Sequence, residues 1–241
     1  MNVLAINGSP HGAKGNTALI LDPFLEGLGD AGAYVELVCT RDLNIKPCRG
    51  CFGCWIKTPG KCVQKDDMAG LLHRLREADV WVLATPLHFD GPSGSLKNLM
   101  DRMMSFLRLP AEVRSGRSRH LVEEAVSGGK VLLVSNCGLW EMGNFEPLVA
   151  QVKAFCRHVD REFIGALLRP HGQTLRDILR RGEPVDDVLE AAREAGRQLA
   201  REGRVSKETL DIVGRELVSL EEYLESMNQK AKGLESRLES K

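Results

Sequence analysis

The chain has 241 residues, the length of one large domain or of one domain with an appendage. Its 33 Lys and Arg residues balance its 33 Asp and Glu residues and form no sustained basic face, which argues against nucleic acid as a partner. Apolar residues make up 43% of the chain but never form a membrane-spanning run, and residues 1–10 lack the pattern of a signal peptide, so we predict a cytoplasmic protein without a membrane partner.

Strand patterns alternate with helical patterns over the first two thirds of the sequence. Apolar runs predict strands at residues 2–6, 34–40, 79–86, 130–138 and 161–170. Between them, helical spacing of apolar residues predicts helices at 17–29, where Pro23 interrupts the pattern, after Asp66 and Asp67, at 93–107 and at 146–159. This alternation is typical of an α/β fold with a parallel sheet covered by helices on both faces.

Two segments depart from the alternation. Residues 110–129 are rich in Arg, Ser and Glu, and we interpret them as a surface insertion, with a lid as one interpretation. After residue 172 the strand patterns end and helical patterns follow at 173–181 and 185–201. We therefore place the main domain at residues 1–204.

The tail, residues 205–241, carries an apolar repeat in steps of three and four. Its members are Leu210, Val213, Leu217, Leu220, Leu224, Met227, Ala231, Leu234 and Leu238. This pattern predicts an amphipathic helix, which either lies on its own domain or pairs with another subunit. Gly214 and Gly233 each lower the stability of such a helix by about 1 kcal/mol.

The segment GSPHGAKGNT, residues 8–17, joins the first strand to the first helix. Its small residues allow a tight turn whose amide N–H groups point into one hollow, which the positive end of the helix also faces. Ser9, Asn16 and Thr17 add side-chain donors, so the segment suits a phosphate monoester. It matches neither a Walker loop nor a dinucleotide fingerprint, and an ordinary glycine-rich turn remains an alternative.

Two further loops leave the carboxyl ends of neighbouring predicted strands: TPLHFDGPSGSLKN (85–98) and SNCGLWEMGNF (135–145). In an open parallel sheet, ligands bind where such loops converge. We expect residues 86–89 to line the ring of a flat heterocycle and residues 136–138 to bond its carbonyls. His88 is a candidate catalytic residue, with a hydrogen-bonding role as the alternative.

Four of the seven cysteines fall in PCRGCFGCWIKTPGKC, residues 47–62. Their spacing is C-x2-C-x2-C-x7-C, at Cys48, Cys51, Cys54 and Cys62. Three explanations stay open: a [4Fe–4S] cluster held by four thiolates, a zinc site, and a metal-free loop that is reduced or forms a redox-active disulfide. Cys39 and Cys156 are interpreted as packing residues, whereas Cys137 lies next to the expected heterocycle.

The three motifs, in this order and with KDDM after the cysteines, resemble the NAD(P)H-dependent FMN reductase family over about residues 1–170, and within it the iron-sulfur flavoproteins. The resemblance implies a flavodoxin-like fold, a five-stranded parallel sheet of order 2-1-3-4-5, FMN at the three loops, and a homodimer or homotetramer. It implies an FMN phosphate held by Ser9, His11, Asn16 and Thr17, and an FMN ring flanked by Pro86, Leu87, His88, Phe89, Asn136, Cys137 and Gly138. The family often has arginine at the position of His11, so Lys14 is a candidate for the missing positive charge.

The resemblance and the cysteine spacing together predict an FMN-dependent electron-transfer oxidoreductase, with its chemistry at FMN and no required side-chain acid or base. The expected electron donor is NAD(P)H or a reduced ferredoxin, and the acceptor is a quinone, a small oxidant or a protein. In the family it resembles, the cluster of one subunit lies near the FMN of another. The alternatives are an NAD(P)H-dependent FMN or quinone reductase without a cluster, and a flavodoxin-like carrier without turnover.

Overall fold

The structure, a computed structural model, describes residues 1–239, without the side chains of residues 234 and 236–239. Its strands are β1 (Asn2–Asn7), β2 (Tyr34–Cys39), β3 (Val80–Pro86), β4 (Leu107–Arg114), β5 (Arg117–Val122), β6 (Lys130–Asn136) and β7 (Glu162–Arg169). Five of them form a parallel sheet in the order β2-β1-β3-β6-β7. This is the predicted order 2-1-3-4-5 among the parallel strands, so the flavodoxin-like fold is confirmed.

Helices cover both faces of the sheet. They are α1 (Ala18–Asp30), α2 (Gly53–Ile56), α3 (Met68–Glu77), α4 (Gly94–Arg102), α5 (Glu146–Val159), α6 (Gly172–Arg181), α7 (Asp186–Glu202), α8 (Lys207–Gly214) and α9 (Leu220–Glu239). No helix within residues 1–239 is both long and apolar enough to cross a membrane.

The central strand β3 is buried on both faces, as its continuous apolar run predicts. Trp81 and Leu83 pack on one side with α3 and α4, and Val82 and Ala84 pack on the other side with α1 and α7. Burial of each such large side chain stabilises the fold by roughly 1.5–3 kcal/mol. The two cores hold the sheet rigid, and this rigidity fixes the loops at its carboxyl edge.

On one face, α1 and α7 approach each other closely because glycine stands at their crossing. A Cβ atom at Gly27 would lie 1.8 Å from the carbonyl oxygen of Arg193, and one at Gly196 would lie 2.1 Å from that of Phe24. Pro23 lies inside α1 without ending it, so the interruption in the sequence pattern does not shorten the helix.

Residues 107–122, which include about two thirds of the predicted insertion, form an antiparallel hairpin of β4 and β5. The ring of His120 lies 4.6 Å from that of Trp55 in the cysteine segment, and Arg114 Nη1 lies 2.6 Å from Asp160 Oδ1 at the end of α5. The hairpin therefore packs at the side of the sheet, and none of its residues lines the cavity at the carboxyl edge described below. The interpretation as a lid stays a prediction.

The tail consists of two helices, α8 and α9, where the sequence pattern suggests one. Buried Arg169 explains the break, because its Nη1 donates to the carbonyl oxygen of Val213 (2.8 Å) and its Nη2 donates to that of Arg215. These bonds engage the last carbonyls of α8, and Arg215 turns to an extended conformation. Leu234 and Leu238 of the apolar repeat lie outside the described side chains, and residues 240–241 lie outside the described chain.

Candidate functional site

The loop of residues 8–17 is a closed, internally bonded turn at the carboxyl end of β1. Ser9 N donates to Asn7 Oδ1 (2.9 Å), and His11 N donates to Ser9 Oγ (3.3 Å). Ser9 and Thr17 are buried, and Thr17 immediately precedes the first turn of α1. The hydroxyls and the positive helix end therefore lie together at the same edge of the sheet.

Two glycines make this turn possible. A Cβ at Gly8 would lie 2.7 Å from the Cβ of Leu96, and a Cβ at Gly15 would lie 2.4 Å from Ser9 Oγ. Larger residues at either position would push the turn away from α4 or displace the buried hydroxyl. The glycine-rich composition of the segment thus reflects close packing in addition to turn formation.

Helix α6 contributes positive charge that the sequence analysis missed. Arg176 donates from Nε to Asn16 Oδ1 and from Nη2 to the carbonyl oxygen of Lys14 (2.8 Å), and Gln173 accepts from Asn16 Nδ2 (3.2 Å). Arg180 lies one turn further along α6. Lys14, Arg176 and Arg180 line the same cavity as His11. In the sequence, the four-residue spacing of Arg176 and Arg180, just after the fifth parallel strand, indicates that both side chains lie on one face of α6 near the carboxyl edge.

The second loop, residues 86–91, is a tight turn fixed by two reciprocal backbone bonds between His88 and Gly91, both of 3.0 Å. Phe89 and Asp90 have positive φ angles, and the Phe89 ring is fully exposed. Leu87 N donates to the carbonyl oxygen of Asn136 (2.8 Å) and joins this loop to the third one. Pro86 and His88 line the cavity at this edge, whereas Leu87 and Phe89 do not.

The third loop, which begins at Asn136, is held by hydrogen bonds from the first loop and from α9. Asn136 Oδ1 accepts from Thr17 Oγ1 (2.6 Å), which ties this loop to the first one. Cys137 is buried, burial raises the pKa of its thiol, and its Sγ accepts from Leu139 N (3.2 Å). Gly138 O accepts from the hydroxyl of Tyr223 in α9 (2.9 Å). Asn136 lines the cavity, while Cys137 and Gly138 stand beside it.

These loops surround a cavity of about 400 Å³. Its lining includes the predicted Ser9, His11, Asn16, Thr17, Pro86, His88 and Asn136, together with Lys14, Arg176 and Arg180, and the described lining residues include no carboxylate. The Nδ2 atom of Asn7, buried at the start of the first loop, has no hydrogen-bond partner. Buried donors and uncompensated cations around a cavity of ligand size fit a phosphorylated flavin.

The cysteine segment leaves the carboxyl end of β2. Cys48 and Cys51 are exposed, whereas Cys54 and Cys62 are half-buried and all four thiols are free. Burial raises the pKa of the Cys54 thiol, and neighbouring Cys62, Cys48 and Cys51 raise it further. Trp55 anchors the segment by donating to the carbonyl oxygen of Met104 (2.9 Å).

A buried ion pair closes the base of the cysteine segment. Arg102 donates from Nη1 to Asp66 Oδ2 (2.6 Å) and to the carbonyl oxygen of Lys46 (2.7 Å), and from Nη2 to Asp66 Oδ1 (2.9 Å). Burial alone would lower the pKa of the Arg102 guanidinium, but its bonds to Asp66 and its proximity to Cys62 raise it. The same pair lowers the pKa of Asp66 against the opposing effect of burial. Both ends of the segment are therefore fixed before any ligand binds.

The thiols themselves do not converge in this arrangement. Within the described part of the chain, no three His, Cys, Asp or Glu side chains meet at the distances of a metal site. The donor set suits an iron–sulfur cluster or zinc chemically, and its loop is anchored, but the sulfurs need to move before they can bind one.

Comparison with known proteins places the first two thirds of the chain in one family. Residues 1–156 match the family model described as NADPH-dependent FMN reductase. An iron-sulfur flavoprotein of Archaeoglobus fulgidus is 41% identical over 102 residues, which are 42% of this chain and 48% of that protein. An iron-sulfur flavoprotein of Methanocaldococcus jannaschii is 37% identical over 115 residues, which are 48% of this chain and 58% of that protein. The chain thus spans about half the length of the relatives that it matches.

Solved structures share the fold at low sequence identity. An FMN-dependent NADH-azoreductase from Bacillus anthracis, in complex with FMN, superposes with a TM-score of 0.61 at 17% identity, over 83% of this chain and all of that one (100%). An NAD(P)H:quinone oxidoreductase from Methanothermobacter marburgensis gives a TM-score of 0.60 at 19% identity, over 84% of this chain and 98% of that one.

Proposed function

The chain belongs to the NADPH-dependent FMN reductase family, and from that premise we propose that it is an FMN-dependent oxidoreductase with NAD(P)H as its electron donor. The observation that carries the proposal is the cavity at the carboxyl edge, where buried hydroxyls, a helix N-terminus and three cations meet and no described lining residue is a carboxylate. This combination suits the dianionic phosphate of FMN. When bound, FMN supplies the acceptance of a hydride and the release of electrons singly.

In this proposal the three loops bind different parts of FMN. Ser9, His11, Asn16 and Thr17 hold the FMN phosphate, with Lys14, Arg176 and Arg180 as its countercharges. Pro86, Leu87, His88 and Phe89 flank the ring on one side, and Asn136, Cys137 and Gly138 bound it on the other. The hydrogen bond from Thr17 to Asn136 joins the first and third loops and holds the two ends of the site in position.

We further propose that Cys48, Cys51, Cys54 and Cys62 hold a [4Fe–4S] cluster, which makes the chain an iron-sulfur flavoprotein. The names of its relatives support this, as do the four-thiol donor set and the anchored base of the segment. The competing function is an FMN or quinone reductase with a metal-free cysteine loop, which the separated thiols of the structure favour. A quinone, a small oxidant or a protein is the proposed acceptor, and reduced ferredoxin is the alternative donor.

A homodimer or homotetramer is part of the same proposal, with α9 as the contact. Leu220, Leu224 and Met227 follow one another at helical spacing on α9 and are 40, 49 and 44% exposed. Such a stripe is typical of a helix that packs against a partner. Removal of residues 220–241, followed by light scattering, is expected to halve the molar mass. An unchanged mass would refute a contact through α9.

Anaerobic purification with analysis of flavin, iron and acid-labile sulfide tests the cofactors. We expect one FMN and four iron and four sulfide atoms per chain, and loss of the iron with retained flavin in Cys51→Ser. NADH and NADPH oxidation with a quinone acceptor then tests turnover. Yellow protein without labile sulfide would support the metal-free alternative, and bound FMN without oxidation of either nucleotide would support a carrier. Protein that binds no FMN would overturn the proposal as a whole.

Arg176→Ala probes the phosphate end of the site separately. Loss of one charge-assisted contact costs about 1.5–3 kcal/mol, so FMN is expected to bind about 10- to 100-fold more weakly. Arg201→Ala, which removes the same charge from an exposed position on α7, is the matched control and should leave FMN affinity unchanged. Quenching of flavin fluorescence measures both. Equal affinities in the two variants would contradict the assigned role of α6.

A further inference from the structure

A second cavity, of about 580 Å³, lies at the amino-terminal edge of the sheet, opposite the edge where β1 and β6 end. It is formed by the tip of the β4–β5 hairpin, the end of α5 and the start of β7. Its volume is within the range of small-molecule sites. Nothing in the function proposed above uses this cavity.

The cavity is strongly basic. Five arginines and two carboxylates line it, which leaves an excess of three positive charges: Arg114, Arg117, Arg119, Arg157 and Arg161 against Asp160 and Glu162. Asp160 is already paired, since its Oδ1 lies 2.6 Å from Arg114 Nη1 and its Oδ2 accepts from Ser127. Glu112, outside the lining, approaches the same Arg114 at 3.7 Å. Within the described residues, no carboxylate lies within 4.0 Å of the other four guanidinium groups.

Arg161 forms part of the wall and is the most unusual of the five. It is only 7% exposed, its guanidinium lies 3.8 Å from the centre of the Trp81 ring, and it donates to the carbonyl oxygens of Val126 (2.8 Å) and Ala78 (2.6 Å). Burial lowers its pKa to about 10, so it still carries its charge at neutral pH. Carbonyls and a ring face position this cation without neutralising it.

We propose that this cavity binds an oligophosphate, either as a free anion or as the phosphate chain of a nucleotide. Arginine presents a planar fork of donors that matches phosphate oxygens, and here three elements present such forks towards one space. An excess of three charges calls for a ligand with several negative charges, and the described lining residues include no aromatic side chain to stack a base. The phosphate chain is therefore the part that the protein recognises.

Calorimetric titration of the FMN-saturated protein with tripolyphosphate, and separately with ATP, tests the proposal in magnesium-free buffer at physiological ionic strength. Bound FMN keeps the first phosphate loop filled. We expect one saturable site per chain, and at least a tenfold loss of affinity in the double variant Arg117→Ala/Arg157→Ala. Both arginines are exposed, so the fold should tolerate their removal. Arg201→Ala/Arg204→Ala, at two other exposed positions, is the matched control for the loss of two charges and should bind normally.

His158 provides a local readout by NMR. Its pKa is lowered by burial and by the charges of Arg119, Arg157 and Arg114, so a bound anion should raise it towards its ordinary value. Equal affinity for the two probes indicates recognition of the phosphate chain alone, and tighter binding of ATP indicates a nucleotide. No saturable binding, or equal losses in the two double variants, would overturn the proposal. Should the chain bind no FMN, the titration uses Arg176→Ala protein, so that the two proposals fail separately.

Discussion

The two loops that carry the predicted chemistry are built in opposite ways. In residues 8–17 the hydroxyls are buried, the backbone amides are engaged and glycines permit contacts that no other residue would allow. In residues 47–62 the base is fixed by a buried ion pair, but two thiols are exposed and the four sulfurs do not converge. The first loop is organised before its ligand arrives, whereas the second is organised at its base alone.

The largest effect is expected from breaking the ion pair beneath the cysteine segment. Arg102→Met leaves the Asp66 carboxylate buried without its partner, which should lower the free energy of unfolding by about 3–5 kcal/mol. Urea denaturation measures the change. The double variant Arg102→Met/Asp66→Leu should recover part of the loss, because no unpaired charge stays buried. The recovery is incomplete because Lys46 N and Met68 N, which donate to Asp66 at 3.0 and 3.2 Å, lose their acceptor.

Arg74→Ala is the matched control for this experiment, since it breaks a pair with Glu36 that is about one third exposed on each side. It should cost less than about 1 kcal/mol. An Arg102→Met protein as stable as the control would show that the segment is not anchored at its base.

The second largest effect is expected from acid, because the two regions should lose stability at different pH values. His171, stacked on Trp140 of the third loop, accepts from Leu217 N at its Nε2 (3.0 Å). Burial and the neighbouring Arg169 lower its pKa to about 4. The unfolded chain therefore binds a proton that the folded chain does not, and stability should fall by as much as about 3 kcal/mol as the pH drops from 6.5 to 4.

The contribution to stability of the Arg102–Asp66 pair, at the base of the cysteine segment, should be lost at a lower pH. The pKa of Asp66 is lowered, so its contribution is complete above about pH 4 and is lost as the pH falls through its folded value. Urea midpoints between pH 7 and 4 should slope in the wild type and flatten in His171→Asn, whose side chain tolerates the positive φ of this position. An unchanged slope in that variant would contradict the role of His171.

Patterning explains why the fold was predictable and parts of the site were not. The segments 79–86 and 130–138 contain continuous apolar runs at 80–84 and 131–134, so burial on both faces follows from composition, and a parallel sheet brings their following loops together. The hairpin at 107–122 was missed because its strands are polar and exposed, and its contacts with Trp55 and Asp160 come from distant segments. Arg176 and Arg180 were missed because their role depends on where α6 ends up, about 160 residues after the loop they face.

A smaller effect is expected from filling the space that the first loop keeps free. In Gly15→Ala the new Cβ would meet Ser9 Oγ, so the turn must shift, at a cost of about 1–3 kcal/mol in stability and a weaker grip on FMN. Gly29→Ala, where no atom lies within 4 Å of the new Cβ, is the control and should be neutral or slightly stabilising. Urea unfolding and FMN titration compare them, and equal behaviour would argue against a preorganised loop.

The smallest effect concerns the bond that joins the tail to the flavin edge. Tyr223→Phe removes the hydroxyl that donates to Gly138 O and should cost about 0.5–1.5 kcal/mol, because one hydrogen bond is lost while the buried ring remains packed. If the tail supports the third loop, FMN affinity should fall together with stability. If the affinity is unchanged, α9 holds the tail in place without contributing to the site. In that case the hydrogen bonds of residues 8–17 and Asn136 alone preorganise the cavity at the carboxyl edge.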